Sequence, residues 1–406
     1  MEGWRPGVPG YLVVTPIAAL KTDGKVKVQP QLTSVDFIVS NQRVFAAVKT
    51  DGTVVTWGHP RYGADSSGLQ LTSVDSICSS GMAFAAKTTN KKVVTWGWPT
   101  QSDTSKVQKQ LNSVDAIYST RTAFAAKKDD GSVVTWGLES RGGSSGAVQK
   151  ELMAVETIYS TVFAFAAKTK YATVVTWGDE DCCSCDTSAC GGNSRDVQDK
   201  LKDVDTIYSN DYAFAAKRKD ASVVAWGSEE RGGDSSKVQS LLTSVKAVYS
   251  NEKAFAAVKE DGSVVTWGLE EYGGNSESVQ SELKSVDVIY SNDAAFAAKT
   301  KHGSVVTWGM QKWNYGADSG DVQSKLTSVV TIAGTRGAFA AQKGDGTVVT
   351  WGDPEIGGDS SGVQSELKSV DVIYRSERAF AAKRKDGTVV FWGSDDSYND
   401  ISGVLT

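Results

Sequence analysis

The sequence predicts an all-β protein assembled from small three-stranded antiparallel units, and three observations carry that expectation. A Val-Val-Thr-Trp-Gly stretch, slightly varied, recurs nine times, with its tryptophans at Trp57, Trp96, Trp136, Trp177, Trp226, Trp267, Trp308, Trp351 and Trp392. Successive spacings are 39, 40, 41, 49, 41, 41, 43 and 41 residues, a period that belongs to repeat architectures. Between the tryptophans the same order of strand-like and turn-like segments returns each time, rich in the β-branched and aromatic residues that suit a pleated surface.

Residues 1–10 read as an N-terminal tail and residues 11–393 as a single repeat domain. Its first repeat, 11–34, is degenerate: segments 11–15, 17–21 and 25–28 have strand character, and the tryptophan is missing. Nine full repeats then run to Gly393, and residues 394–406 are expected to lie near the closure.

Residues 279–309 display a full repeat. Val279 and Leu283 come first, and the same pair four apart recurs at Val107/Leu111, Val148/Leu152, Val197/Leu201, Val322/Leu326 and Val363/Leu367. That spacing puts both side chains on one helical face, so a single helical turn pressed on the core is expected. Asp or Ser just ahead of it, as in Asp234-Ser235-Ser236, suits an N-cap, because the side-chain oxygen can accept from the free amides of the first turn.

A strand over 286–291 follows, then a tight turn at Asn292-Asp293 and a second strand over 295–299. A further turn, most often Asp-Gly as at Asp51-Gly52, Asp261-Gly262, Asp345-Gly346 and Asp386-Gly387, leads into the Trp-Gly strand. Asp-Gly tolerates the positive backbone angles of two-residue hairpins. The second strand is mostly alanine around one phenylalanine, for example Phe255, Phe296 and Phe339. Small residues there let one sheet stack closely on the next, with Phe and Trp filling the gap. A three-stranded sheet cannot bury two faces alone, so its neighbours must do so.

Bulk composition narrows the function classes. Forty-three basic against 48 acidic residues in 406 give a formal charge of −5 and a pI near 5.3, which is no electrostatic footprint for nucleic acid. A mean hydropathy of −0.27, with no apolar run near the ~20 residues a membrane helix needs, argues against membrane insertion. The start, Met1-Glu2-Gly3-Trp4-Arg5-Pro6, lacks the basic and apolar regions of a secretory leader, which favours the cytoplasm.

The order of parts resembles the β-propeller repeat of the regulator of chromosome condensation family. The shared elements are Val-x-x-Ile, a turn, an apolar strand, Asp-Gly-x-Val-x-x-Trp-Gly, and a Gly-rich loop such as Tyr272-Gly273-Gly274. The short period is similar to the compact three-strand blades of the β-lactamase inhibitory propeller in that superfamily. The resemblance implies a propeller, and the nine full repeats with a degenerate tenth make it a ring of nine to ten small blades, with an open superhelical array as the alternative. Two features depart from the family: it usually closes with seven blades, and its histidine at the start of the middle strand is replaced here by Ala-Phe. The resemblance also places the loops after Trp-Gly on one face of such a ring.

Those loops vary where the framework is constant, and they supply the candidate partner-binding residues Arg61, Tyr62, Arg141, Arg231, Tyr272 and Tyr315. Trp98 and Trp313 join them as tryptophans outside the repeated motif, where a large exposed aromatic is better explained by a partner than by folding. The nine motif tryptophans read as core, although the plant ultraviolet-B photoreceptor, similar to the same family, senses light through clustered tryptophans. Recurrent Lys87, Lys127, Lys168, Lys217, Lys299 and Lys383, with Asp36, Asp75, Asp115, Asp205, Asp287 and Asp371, read as surface charge.

Cys182, Cys183, Cys185 and Cys190 fill the extra residues of the 49-residue spacing. Structural zinc sites usually space their thiolates as C-x2-C pairs, so this cramped set favours disulfides or idle thiols, and no metal is expected. Gly-Gly-Asp-Ser-Ser at 357–361 lacks the lysine and threonine of a phosphate loop and reads as a turn with a helix cap. With two histidines, His59 and His302, in no motif, no catalytic constellation emerges and no cofactor is expected. The expectation is a non-enzymatic scaffold for protein–protein interaction. The resemblance adds two alternatives, a secreted enzyme inhibitor and a guanine-nucleotide exchange or ubiquitin-pathway regulator.

Overall fold

The computed structural model describes residues 19–22, 25–28, 32–180 and 190–394, with side chains from residue 32 onward. Nine three-stranded antiparallel sheets follow one another in the chain, each a meander, and a two-stranded hairpin of Ala19–Thr22 with Lys25–Val28 precedes them. We call the sheets blades one to nine. Contacts divide the chain into two compact units. One holds residues 30–220 and 224–233; the other holds 17–29, 221–223 and 234–406. The expected strand at 11–15 lies outside the described residues, as do the expected tail and closing segment.

Blade seven shows how the sequence makes the sheet. Its strands are Val286–Ser291, Ala295–Thr300 and Val305–Gly309. Phe296 and Trp308 are direct cross-strand partners and stack at 5.2 Å with a 24° interplanar angle. The same pair stacks in every blade, at 5.1–5.4 Å. The register slips between Val286 and Val288, so Asp287 is the extra residue of a bulge. Its carboxylate accepts from Lys299 Nζ at 3.0 Å.

Within each unit, blades pack face to face. The pleat sends Ala254 and Ala256 of blade six to the side where blade seven presents Phe296 and Trp308, and all four are buried in one cluster with Val264, Leu283 and Ile289. Alanine is needed because a larger residue would hold the sheets apart. Burying an aromatic ring of this size is worth roughly 4–6 kcal/mol as an upper bound, so these pairs dominate the core.

Within each unit, main-chain hydrogen bonds tie blades together at both ends. The first strand of one blade donates back to the positive-φ residue of the preceding blade's second turn, as in Val286 N to Gly262 O, Val329 N to Gly303 O and Val370 N to Gly346 O, all at 2.9 Å. At the other end the first turn donates forward. Gly81 N binds Arg121 O, Arg121 N binds Val162 O and Val162 N binds Asp211 O, at 2.8–3.0 Å. These links hold the stacking distance at both ends of a blade independently of side-chain packing.

Two expectations are refined locally and a third is corrected. Where these segments form a helix it is 3-10, as in Arg195–Lys200, Ser236–Leu241 and Gly320–Lys325, a geometry that a spacing of four also fits, whereas the Val148/Leu152 and Val363/Leu367 segments form hydrogen-bonded turns only. The serine at the N-cap makes no side-chain cap bond; Asp234 Oδ1 instead accepts from Ser236 N at 2.7 Å. The Asp-Gly turns are three-residue loops in which only the glycine has positive φ. Lys259 N binds Ser263 O, Gly262 sits at +79°, and Asp261 Oδ1 accepts from Ser263 N and Oγ.

That serine is spent on a buried brace. In blade four Ser194 Oγ donates to Gln198 Oε1 at 2.7 Å, so Thr176 Oγ1 must be the donor across its 2.9 Å contact with Ser194. Gln198 Nε2 then donates to the carbonyl of Val174. Thr266, Ser276, Gln280 and Val264 repeat the brace in blade six, and Thr350, Ser360, Gln364 and Val348 in blade eight.

Candidate functional site

The loop after each Trp-Gly is fixed before its side chains are chosen. In blade six, Glu270–Tyr272 form a 3-10 turn closed by Gly273 at φ +90°, and Tyr272 O accepts from Asn251 Nδ2 of the same blade's first turn. Asn41, Asn210 and Asn292 reach Tyr62, Arg231 and Tyr315 in the same way, and Thr120 reaches Arg141. Tyr62, Arg141, Arg231, Tyr272 and Tyr315 therefore sit at one recurring position, with main chain anchored and side chain free to vary.

Within the first unit the structure brings Arg61, Tyr62 and Trp98 together. Trp98 is half-buried rather than exposed. Its ring stacks on Tyr62 at 5.6 Å and 16°, and the Arg61 guanidinium lies 4.1 Å from its centroid. Arg43 caps the other ring, 5.5 Å from the Tyr62 centroid. His59 Nδ1 accepts from Arg61 N, and its ring tilts against Tyr62 at 4.7 Å. Arg141 lies 4.2 Å over Phe163, and Arg231 lies 4.1 Å over Tyr212.

Within the second unit Lys253 covers Tyr272 at 4.2 Å and donates to its hydroxyl at 2.8 Å. Tyr315 packs against the blade-eight core, with Gly337 fitting beside its ring. Trp313 is different. It is 69% exposed, with Lys312 Nζ 5.4 Å from its ring, and its backbone sits at φ +85°. A bulky residue in that region costs roughly 1–2 kcal/mol. The strain is held by the next residue, Asn314, at φ +52°, whose Nδ2 donates to Gly352 O at 3.0 Å.

Reading the loops alone misses Arg43, Phe163, Tyr212 and Lys253, the partners that orient these side chains. They occupy the position just before each Ala-Phe strand, where the repeats read Arg43, Met82, Thr122, Phe163, Tyr212, Lys253, Ala294, Gly337 and Arg378. That position varies as much as the loops do, and the variation is the signal.

Five of the six recurrent lysines are paired among the described residues. Lys87–Asp75, Lys127–Asp115, Lys168–Glu156, Lys217–Asp205 and Lys299–Asp287 lie at 2.7–3.2 Å, with lysine side chains largely covered. Lys127 and Lys168 also donate to main-chain carbonyls of the following blade, Glu156 O and Asp205 O. Cys190 is buried and disulfide-bonded, and its carbonyl accepts from Thr161 Oγ1 at 3.0 Å. It thus occupies the loop position filled elsewhere by Arg or Tyr. Cys182, Cys183 and Cys185 lie outside the described residues.

The geometry defines a class: an all-β repeat protein of nine three-stranded blades with anchored, variable loops. No family model matches the chain, and no curated protein matches it. Among solved structures it is similar to the computationally designed Ika8 protein, at 14% identity over 95% of this chain and 98% of that one, with a TM-score of 0.35. It is also similar to yeast RCC1 (Prp20) in a structure bound to Kap60, at 15% identity, 63% and 73% coverage and a TM-score of 0.36. A third is the CRINKLY WD40 ectodomain of the Arabidopsis thaliana receptor kinase ACR4, at 14% identity, 70% and 98% coverage and 0.35. Likenesses of this size carry no statement about activity.

Proposed function

We propose that the chain is a non-enzymatic scaffold that binds another protein through the loops following Trp-Gly. The observation that supports this most is Trp313, a large ring held 69% exposed on a strained backbone that a hydrogen bond from Asn314 maintains. Strain of this kind persists where function repays it. Arg61, Arg141 and Arg231 add to it, because guanidinium groups resting on aromatic rings lose little further freedom when they meet a partner.

The test is affinity capture with the full chain, followed by measurement of the dissociation constant for the captured protein in purified form. Trp313→Ala and Arg231→Ala, each with an unchanged melting temperature, are expected to weaken binding by roughly 10-fold or more apiece, as interface anchors do. A captured partner that binds both variants as tightly as the parent would dismiss the loops.

A further inference from the structure

Blades one to three, in the first unit, carry an unbalanced charge on their loops and first turns. Arg43, Arg61, Arg121 and Arg141 all lie there, and none of the four has a carboxylate partner among the described residues. The carboxylates of the same loops contact other partners, and Asp65 and Asp103 keep their charge there. Glu139 lies 3.5 Å from Lys106, Asp65 accepts from Ser67 N and Oγ, and Asp103 accepts from Ser105 N. Elsewhere in the chain the equivalent turns hold Asp211, Glu252, Asp293 and Glu377, and Arg336 is paired with Asp293 at 3.3 Å.

The guanidinium groups are also placed. Arg43 and Arg61 lie on the stacked rings of Tyr62 and Trp98, and Arg141 lies on Phe163. Arg121 lays its stem over Gly81, where an added Cβ would meet Arg121 Cγ at 3.1 Å. A guanidinium held over a ring still has N–H groups to offer, in the fork that matches a carboxylate.

We propose that this side of blades one to three docks an acidic peptide segment of a protein partner. The inference rests on the reading of the loops as a protein-contact surface and names the chemistry of what they contact. Two features favour a peptide over nucleic acid. The rings of Tyr62 and Trp98 are stacked on each other and covered by guanidinium groups, so they offer no bare platform for bases. A net charge of −5 also repels a long polyanion while leaving a short acidic segment free to reach a local basic strip.

The experiment titrates the full chain into a short fluorescent glutamate-rich peptide and follows anisotropy. Binding that weakens as salt is raised is expected, with about a 10-fold loss in the double variant Arg43→Gln, Arg61→Gln, as charge-assisted hydrogen bonds require. Arg61→Lys keeps the charge but loses fork and stacking, and is expected to fall between. Arg378→Gln, in the second unit, is the control and leaves affinity unchanged. Melting curves confirm that each variant is folded. No binding, or equal binding by the double variant, overturns the proposal. A single-stranded oligonucleotide of matched charge that binds as tightly, and is lost in the same variant, overturns the assignment to a peptide. If Trp313→Ala and Arg231→Ala weaken partner capture while the Arg43/Arg61 variant does not, the loop reading stands and this inference falls.

Discussion

The indole nitrogen of Trp308 donates to the carbonyl of Gly273 at 3.1 Å, reaching from one blade to the loop of the blade before it. Trp177, Trp226, Trp351 and Trp392 make the same bond to Gly142, Gly191, Gly316 and Gly357, each 35 residues upstream. Trp136 breaks the pattern: its Nε1 is buried and has no acceptor among the described residues. The cause lies in blade two, where a short helix, Pro99–Ser102, replaces the Gly-Gly loop and no glycine carbonyl is presented.

This difference makes the first prediction. Trp308→Phe deletes ring volume and also strands the Gly273 carbonyl, whereas Trp136→Phe deletes similar volume and removes a donor that is already unpaired. Trp308→Phe should therefore cost about 1–2 kcal/mol more. Urea unfolding of the two variants checks it, and equal costs would show that the interblade hydrogen bond contributes nothing.

The glycines beneath the indoles give the second. Gly357 sits at φ +105°, and a Cβ there would come within 2.5 Å of Phe380 Cδ2. Gly387 has a similar φ of +87° with nothing within 4 Å of that Cβ. Gly357→Ala combines backbone strain with overpacking and should cost roughly 2–4 kcal/mol, while Gly387→Ala pays the backbone part alone, about 1 kcal/mol. Thermal melts of the pair separate the two contributions.

What the sequence made legible follows from repetition. Trp-Gly, Ala-Phe and the Val/Leu pair mark strand three, strand two and the helical turn because each must meet the same neighbour in every blade. The insertion holding Cys182 to Cys190 was legible as an irregular spacing, and the structure explains why it is tolerated: the extra residues precede Gly191, so the reach from Gly191 to Trp226 stays at 35 residues. Hidden were contacts whose partners are far apart in the chain and differ in type, such as Arg141 on Phe163, and the 3-10 geometry, which a spacing of four does not separate from α. The Thr-Ser-Gln brace was hidden for another reason, because its serine also reads as a cap.

Acid should unfold the chain through its turns. Asp261, Asp345 and Asp386 each accept from a Ser or Thr two residues on, and that hydrogen bond holds each carboxyl below its ordinary value of 3.8. Lys299 does the same for Asp287, and Lys127 for Asp115. A carboxyl with a lower pKa in the folded state stabilises it fully above the ordinary value, and that contribution is lost as pH falls through the lowered one. The melting temperature should stay level from neutrality toward pH 5 and fall below about pH 4, and Asp261→Asn should flatten part of that fall.

Cys78 should be inert in the native protein. Burial pushes its thiol up to about 11, and the hydrogen bond with Ser119 at 3.3 Å offsets this only in part. At neutral pH roughly one molecule in 10,000 then carries the thiolate, which is the reactive form. The sulfur is also walled in, 3% exposed and packed with Ala83, Ala85 and Phe124 between blades two and three. Alkylation therefore requires the two blades to separate, and at a fixed reagent concentration its rate should follow the opening equilibrium of that seam. Peptide mapping after iodoacetamide should find Cys78 unmodified in buffer and fully modified in denaturant. Trp136→Phe, which removes ring volume from this same cluster but no hydrogen bond, should speed labelling less than Phe124→Ala, which should speed it many-fold. Rapid labelling of the folded parent would mean that blades two and three part far more readily than their packing implies.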